Sequence, residues 1–342
     1  MSTAPIVHGG GIAEAAARFG GRVEDWLDLS TGINPNPVGL PDIPMNAWHG
    51  LPDRHLTEAA TGAARHYYRS VVTPLAVPGT QSVIQLLPRL LSAGRRAAIF
   101  GPTYGEYGRV LRAAGYPVDE IVDCAGISPE HALVIVVNPN NPTGRMFDAD
   151  VLLSILLRVE GHDGMLLVDE AFGDTQPEAS VASMVDPAGR LVVLRSFGKF
   201  FGLAGLRLGF VIAPDAVTVS FREWLGPWAV SGPALVIAAD LMGRETTTIA
   251  AAIAERKQRL DDILLAAGLP IVGGTPLFTL VDHPRAGSLH TALCQSRILT
   301  RRFDYAPTWL RIGLSPDVKG DVRLAHALHE FAWAPHVGAS GH

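Results

Sequence analysis

One lysine stands out because of the residues around it. The segment "SFGKFFGLAGLRLGF", residues 196–210, places Lys199 among glycines and aromatic residues, with Arg207 eight residues further on. A lysine in a mostly apolar loop near a second cation has a lowered pKa, because burial and like charge both disfavour its charged form. Its neutral amine can then attack a carbonyl carbon. The segment therefore predicts a lysine that bonds covalently to an aldehyde.

Two further polar motifs each follow an apolar run that predicts a buried strand. "NPNNPTG", residues 138–144, cannot continue a strand, because proline lacks the N–H donor and asparagine and glycine favour turns. It is either a plain turn or a rigid loop that presents an amide to a ligand at the carboxyl end of a parallel strand. In "VDEAF", Asp169 and Glu170 end a strand where a carboxylate needs a cationic or protonated partner. A salt bridge, a helix N-cap and a ligand contact all stay open for this pair.

These motifs supply the groups that an aldehyde cofactor with a phosphate and a pyridine ring would need. Such a cofactor needs a lysine, a carboxylate for the ring nitrogen, a donor for the ring hydroxyl, an aromatic ring for stacking and a phosphate cup. Other phosphate cofactors fit less well. The chain has no GxxxxGK[ST] loop, so "DEAF" does not indicate a nucleotide hydrolase. The glycines at 9–11 follow no strand and form no dinucleotide fingerprint.

Size and composition limit the classes of protein that can carry these motifs. The chain has 342 residues, above the size at which one hydrophobic core stops growing, so two domains are expected. The formal net charge of −5 and the lack of a basic run argue against nucleic acid and anionic membranes as partners. No signal peptide or membrane span is evident. Cys124 and Cys294 lie far apart, which predicts structural thiols in a reducing cytoplasm and no metal site.

The order of the apolar runs predicts how the motifs are positioned. Between about residues 75 and 215, runs such as "RRAAIF" and "ALVIVV" alternate with helical patterns such as "DADVLLSILLRVEG", which predicts an α/β fold with a mostly parallel sheet. Lys199 falls between two apolar runs, so we expect it in a loop at the end of the sheet and not on a helix. A long helical segment that ends at Gly268 leads to a smaller α+β domain. The predicted organisation is an N-terminal arm (1–45), a large domain (46–233) and a small C-terminal domain (234–342).

Six motifs in one order resemble the pyridoxal-phosphate enzymes of the aspartate aminotransferase fold type, or fold type I. They are "PGTQS", "PTYGEY", "NPNNPTG", "VDEAF", "SFGKFFGLAGLRLGF" and "WLRIGL". Each motif is weak alone, but the ordered set extends over nearly the whole chain. The resemblance implies pyridoxal 5'-phosphate as the cofactor, bound by the large domain. It also implies a homodimer, since this fold type usually builds its site at a dimer interface.

The resemblance assigns roles to individual residues. It implies that Lys199 bonds to the cofactor aldehyde and later moves the proton at the substrate's α-carbon. Asp169 would pair with the ring nitrogen, Asn141 would donate to the ring hydroxyl, and Tyr104 would stack on the ring. The phosphate would be held at a helix N-terminus and by neighbouring polar side chains, namely Gly79, Thr80, Gln81, Ser196 and Arg207.

Two positions depart from the pattern of the fold type. Phe172 stands where its members usually have a tyrosine, so one hydrogen bond to the ring hydroxyl is missing. Leu51 stands where they often have a tyrosine that reaches the cofactor phosphate of the partner subunit. Whether this position contacts the cofactor phosphate of the partner subunit therefore stays open.

The start of the chain bears on the reaction. "HGGGIAEAAARFG" and "STGINPNPVG" resemble the threonine-phosphate decarboxylases of cobalamin biosynthesis. The resemblance implies that L-threonine O-3-phosphate, a small phosphorylated amino acid, loses carbon dioxide to give (R)-1-amino-2-propanol phosphate. The alternatives are an aminotransferase of the sister group that acts on histidinol phosphate and a non-catalytic pyridoxal-phosphate protein. Whether Arg311 holds a carboxylate or a phosphate stays open. The implied substrate-binding residues are His8, Ile33, Asn34, Arg301 and Arg311.

Overall fold

The computed structural model describes residue 6 and residues 8–333, and the chain divides into two compact units. The first unit comprises Met1–Ile6 and Pro37–Ala250, and the second comprises Val7–Asn36 and Ala251–His342. Most of the segment predicted as an arm thus groups with the C-terminal residues. This division follows spatial compactness alone, so the domain boundaries predicted at residues 45 and 233 stay predictions.

The described residues form helices and strands that alternate through most of the first unit. The helices are α1 Ile12–Phe19, α2 Met45–His49, α3 Arg54–Tyr67, α4 Thr80–Leu86, α5 Glu106–Ala113, α6 Ala149–Glu160, α7 Phe197–Phe200, α8 Asp215–Leu225, α9 Gly232–Leu241, α10 Thr247–Ala266, α11 Ala286–Gln295 and α12 Val318–Trp333. The strands are β1 Leu27–Asp28, β2 Leu75–Val77, β3 Arg96–Phe100, β4 Val118–Ile121, β5 His131–Val137, β6 Met165–Asp169, β7 Leu191–Ser196, β8 Gly209–Ile212, β9 Ile271–Thr275, β10 Phe278–Asp282, β11 Ile298–Leu299, β12 Arg301–Phe303 and β13 Ala306–Gly313. No helix among these has an apolar stretch long enough to span a membrane.

A mostly parallel sheet forms the centre of the first unit, as predicted. Its strand order is β2-β8-β7-β6-β5-β3-β4. Six of the strands run in one direction, and β8 alone runs in the opposite direction. The central strands are continuous apolar runs because both faces of the sheet are covered. Side chains such as Ile135, Leu167 and Val192 are buried in a core that also includes Leu111 and Phe221 from flanking helices.

The second unit is built on antiparallel pairing, in agreement with the predicted α+β character. Its main sheet has the order β12-β13-β10-β9, and β1 pairs in parallel with β11. The run "RILTRRF" forms two short strands, β11 and β12. Together the parallel sheet with its helices and this antiparallel sheet make an α/β protein.

Candidate active site

The predicted site residues of the first unit lie at the carboxyl ends of neighbouring strands. Asp169 is the last residue of β6 and pairs with Val137, the last residue of β5. On its other side Asp169 pairs with Leu194 of β7, the strand that precedes Lys199. Three motifs therefore begin at one edge of the sheet, where ligands bind in open α/β sheets.

Lys199 does not lie in the predicted loop, and that prediction was wrong. It lies in the one-turn helix α7, which directly follows β7. Phe197, Phe200 and Phe201 are buried, and their spacing of three and four residues places them on one side of a helical turn. Lys199 itself is partly buried, and its Nζ lies 5.7 Å from the ring centroid of Phe172. Phe172 therefore presents an aromatic face to the lysine.

Asp169 is almost fully enclosed, at 4% exposure, and accepts hydrogen bonds on both carboxylate oxygens. The phenol of Tyr107 donates to Oδ2 over 2.7 Å, and the backbone N–H of Ala171 donates to Oδ1 over 3.0 Å. Burial raises the pKa of Asp169, while these two hydrogen bonds and the charge of Lys199 oppose the rise. Tyr107 was not predicted as a site residue. Its occurrence in the same motif as Tyr104, "PTYGEY", is a signal that could have indicated it.

Glu170 has a different role from Asp169. Its carboxylate contacts Nη1 of Arg195, and Nη2 of the same guanidinium contacts Asp174. Arg195 is 2% exposed and lies over the ring of Tyr68 at 4.5 Å. Burial disfavours the charge of Arg195, but the two carboxylates outweigh it and raise the pKa of the guanidinium. The salt-bridge interpretation is therefore confirmed for Glu170 and not for Asp169.

The asparagine loop after β5 uses two of its three amides to hold itself together. The amide of Asn138 donates to the carbonyl of Phe147 over 3.1 Å and accepts from the N–H of Phe147 over 2.7 Å. Asn140 donates to the carbonyl of Pro102 over 2.9 Å. Asn141 is partly exposed. The loop is thus fixed by Asn138 and Asn140, and Asn141, the residue predicted to contact a ligand, lies beside them at the end of β5.

The residues assigned to the phosphate surround a glycine-lined turn. Gly79 has a φ of +76°, and a Cβ there would lie 2.8 Å from Nη2 of Arg207. A Cβ on Gly209 would lie 3.0 Å from the backbone N of Thr80, and Gly209 pairs with Ser196 across β7 and β8. The structure therefore brings four of the five predicted phosphate residues together around a cation and a helix start. This donor set suits a phosphate.

The side chain of Gln81, the fifth of these residues, contacts Tyr104 and Glu106. Its carbonyl oxygen accepts from the phenol of Tyr104 over 3.1 Å, and its amide donates to Glu106 over 2.9 Å. Glu106 is buried and also accepts from Arg109 over 2.6 Å. Gln81 therefore positions Tyr104, and only its backbone N–H is suited to a phosphate. Glu106 is a second residue that sequence reasoning missed.

The second unit brings the remaining predicted residues together in part. Arg311 of β13 pairs directly with Arg301 of β12, so both side chains stand on one face of the sheet. Arg311 is 7% exposed, and its Nη2 donates to the carbonyl of Ser30 over 2.6 Å. The hydroxyl of Ser30 accepts from the N–H of Gly10 over 2.7 Å. The "HGG" and "STGINP" motifs thus meet beside the arginine pair.

The other residues of these N-terminal motifs differ in exposure. His8 is exposed and Ile33 is partly buried. Asn34 is buried, and its side-chain oxygen accepts from the N–H of Asn36 over 3.0 Å, which closes the turn of "INPN". All three lie in the second unit, as do Arg301 and Arg311.

Known proteins resemble this chain over nearly its full length. The sequence model described as "Aminotransferase class I and II" matches residues 24–328. A threonine-phosphate decarboxylase from Sinorhizobium sp. is 64% identical over 95% of this chain and 98% of its own length. A threonine-phosphate decarboxylase from Pseudomonas aeruginosa is 42% identical over 97% of this chain and 99% of its own.

The fold has counterparts among solved structures. The crystal structure of a histidinol-phosphate aminotransferase from Sinorhizobium meliloti, in complex with pyridoxal 5'-phosphate, superposes with a TM-score of 0.77 and 20% sequence identity. The match covers 96% of this chain and 95% of that one.

Proposed function

The chain belongs to the class I and II aminotransferase family, and on that premise we propose that it is a pyridoxal-phosphate-dependent threonine-phosphate decarboxylase. The reaction converts L-threonine O-3-phosphate into (R)-1-amino-2-propanol phosphate, a step of cobalamin biosynthesis. The observation that carries the proposal is the 64% identity with a threonine-phosphate decarboxylase over 95% of this chain.

The residues of the first unit fit the cofactor. Asp169 offers a carboxylate, aligned by Tyr107 and Ala171, to a ring nitrogen. The turn at Gly79, beside Arg207, offers cationic and N–H donors to a phosphate. Lys199, at the same edge of the sheet, is the amine for the covalent bond, and Asn141 and Tyr104 complete the set as donor and stacking ring. Bound pyridoxal phosphate would supply an electron-withdrawing ring that weakens the bonds at the substrate's α-carbon.

The chemistry of decarboxylation sets tasks for the protein side chains. The bond between the α-carbon and the carboxylate breaks, carbon dioxide leaves, and an electron pair stays behind that must take up one proton. We assign that proton to Nζ of Lys199, which directly follows β7 at the strand ends where we place the cofactor. Asp169 must stay anionic throughout, since a neutral carboxyl group would no longer pair with a protonated ring nitrogen.

The substrate carries two anions, and the second unit holds two arginines on one sheet face. Arginine forks bind carboxylates and phosphates through paired hydrogen bonds. We assign the substrate's anions to Arg301 and Arg311, together with His8, Ile33 and Asn34 of the N-terminal motifs. The two arginines pair directly across β12 and β13, so one anionic substrate could contact both side chains.

A single assay tests the reaction. Purified protein with pyridoxal phosphate is incubated with L-threonine O-3-phosphate and no keto acid, and carbon dioxide and amine are measured. We expect both products in equal amounts from the wild type and none from Lys199→Ala. A parallel arm with L-histidinol phosphate and 2-oxoglutarate detects transamination.

Two outcomes would overturn the proposal. A ketone that forms only when a keto acid is present would indicate the aminotransferase alternative. Binding of the cofactor with no product in either arm would indicate a non-catalytic protein.

We also propose that two copies of the chain associate through the segment 40–51. Four apolar side chains in it are 56–69% exposed, namely Leu40, Met45, Trp48 and Leu51. Single exposed apolar residues are common, but four within one short segment favour a contact with another protein surface. Sedimentation equilibrium of Trp48→Glu should give a monomer, whereas Val219→Glu, an exposed apolar position on α8, should leave the dimer intact. A wild type that sediments as a monomer would contradict this proposal.

The cytoplasmic location predicted from the sequence stays a prediction.

A further inference from the structure

Tyr107 connects the helix layer to the predicted carboxylate of the site. Its side chain is 0% exposed and belongs to the core of the first unit, on helix α5. The phenol donates to Oδ2 of Asp169 over 2.7 Å, across 62 residues of sequence. Its ring meets the ring of Tyr104 edge-on, at 6.2 Å between centroids. Tyr107 therefore contacts two residues that the proposed function places against the cofactor ring.

The contact fixes the orientation of the Asp169 carboxylate. Tyr107 binds one oxygen, and the N–H of Ala171 binds the other over 3.0 Å. With a donor on each oxygen, the carboxylate plane cannot turn without breaking a hydrogen bond. Each oxygen still keeps a lone pair for a further donor.

The same contact favours the ionised form of Asp169. Burial favours a neutral carboxyl group, and a hydrogen bond donated to the anion acts against this. Burial also keeps the phenol protonated, since the pKa of Tyr107 lies well above its ordinary value. Tyr107 is thus a donor across the whole working pH range.

We propose that Tyr107 is a positioning residue that holds Asp169 anionic and aligned for the ring nitrogen of the cofactor. This rests on the proposed function only in so far as pyridoxal phosphate binds at Asp169. A purely structural tyrosine would serve the core equally well without its hydroxyl, because phenylalanine fills the same space.

The test compares two single-atom deletions in the full chain. Tyr107→Phe removes the hydroxyl that contacts Asp169. Tyr116→Phe is the matched control, because the phenol of Tyr116 donates to the backbone carbonyl of Leu91 over 2.8 Å and not to a site residue. Both variants lose one hydrogen bond and keep their rings.

Three measurements separate positioning from stability. The first is the dissociation constant of pyridoxal phosphate from titration of the apoprotein, the second is the pH titration of the bound cofactor's visible absorption band, and the third is thermal unfolding. We expect Tyr107→Phe to bind the cofactor at least about tenfold more weakly, the effect of losing a hydrogen bond to a charged group. We also expect its pH titration to shift from that of the wild type. Tyr116→Phe should change only the melting temperature.

The outcomes distinguish this inference from the proposed reaction. If Tyr107→Phe matches Tyr116→Phe in both cofactor affinity and pH titration, the inference is wrong. If the wild type binds the cofactor normally but releases no carbon dioxide, the reaction is wrong and the inference still stands on the binding data. A wild type that does not bind pyridoxal phosphate would overturn both.

Discussion

The buried arginines of the two units contact different groups. In the first unit, Arg195 contacts the carboxylates of Glu170 and Asp174, so its charge is compensated within the protein. In the second unit, Arg311 donates to a backbone carbonyl, and its cross-strand neighbour is another cation, Arg301. The hydrophobic pattern does not distinguish these arginines, since each lies in an apolar strand; only the family resemblance assigned Arg311 to the substrate.

The difference predicts different roles for the two arginines. A buried ion pair contributes little net stability, yet removal of one partner is costly because a bare charge is left behind. Two arginines on one face of a sheet offer paired donors that suit a carboxylate or a phosphate. Arg195 should therefore matter for folding, and the pair in the second unit should matter for binding.

The largest expected effect is on the structural arginine. Arg195→Met should lower the free energy of unfolding by about 3–5 kcal/mol, because two buried carboxylates lose their cation. Urea unfolding of the full chain measures this. The control is the triple variant that adds Glu170→Gln and Asp174→Asn, which removes the bare charges and should recover part of the loss. A single variant within about 1 kcal/mol of the wild type would contradict the comparison.

The next effect concerns the buried arginine of the second unit. Arg311→Met should lower kcat/KM for L-threonine O-3-phosphate about a hundredfold, the size of a lost hydrogen bond to a charged group. Arg323→Met is the control, because Arg323 also donates to backbone carbonyls, of Ser296 and Arg297, and lies in the same unit. It should leave kcat/KM unchanged.

Arg311→Met also tests which anion of the substrate Arg311 binds. If it binds the phosphate, the variant should lose the preference for threonine phosphate over threonine. If it binds the carboxylate, activity on both compounds should fall together. Equal kcat/KM values for Arg311→Met and the wild type would remove Arg311 from the site.

Local patterns in the sequence were sufficient to predict the central strands that carry the polar motifs. Continuous apolar runs predict β5 and β6 because a parallel strand covered on both faces has no polar side, and the polar motif that follows marks where each strand ends. Asp169 could therefore be located at a strand end before the fold was known. The order of six motifs then indicated the family, and with it the polar groups expected to contact the cofactor and the substrate.

Contacts between distant residues were beyond these patterns. The hydrogen bond of Tyr107 to Asp169 spans 62 residues and the pairing of Arg195 with Glu170 spans 25, and no local spacing encodes either. The helix at Lys199 was missed for a different reason. Its four residues are too few for a helical period to be distinguished from an apolar loop.

A third basic side chain, His290 of α11, shows what happens when no carboxylate compensates a buried base. Burial, with the nearby charges of Arg302 and Arg18, lowers the pKa of His290 to about 4. The unfolded chain, with an ordinary pKa of about 6.5, takes up the proton first on acidification. Stability from the neutral imidazole is therefore complete above pH 6.5 and is lost as the pH falls toward 4.

His290→Gln should remove this part of the pH dependence. We expect the drop in unfolding free energy between pH 7 and pH 4.5 to become smaller by about 2 kcal/mol, after allowance for the partial exposure of the ring. Chemical denaturation at the two pH values measures it. His326→Gln, at an exposed position of α12, should leave the drop unchanged. An identical drop in His290→Gln and the wild type would show that the buried histidine does not govern acid stability.

The smallest expected effect is on Arg301, where substrate binding and stability can be measured separately. Arg301 is less buried than Arg311, so water competes more strongly for its charge, and Arg301→Met should raise KM only about tenfold. Arg302→Met is the control, because adjacent residues of a strand point to opposite faces. Arg301→Met also removes a like charge opposite Arg311, so the unfolding free energy should stay within about 1 kcal/mol of that of the wild type. A variant that loses both substrate affinity and stability would show that Arg301 and Arg311 support the fold, as Arg195 does. The pair would then not be reserved for a ligand.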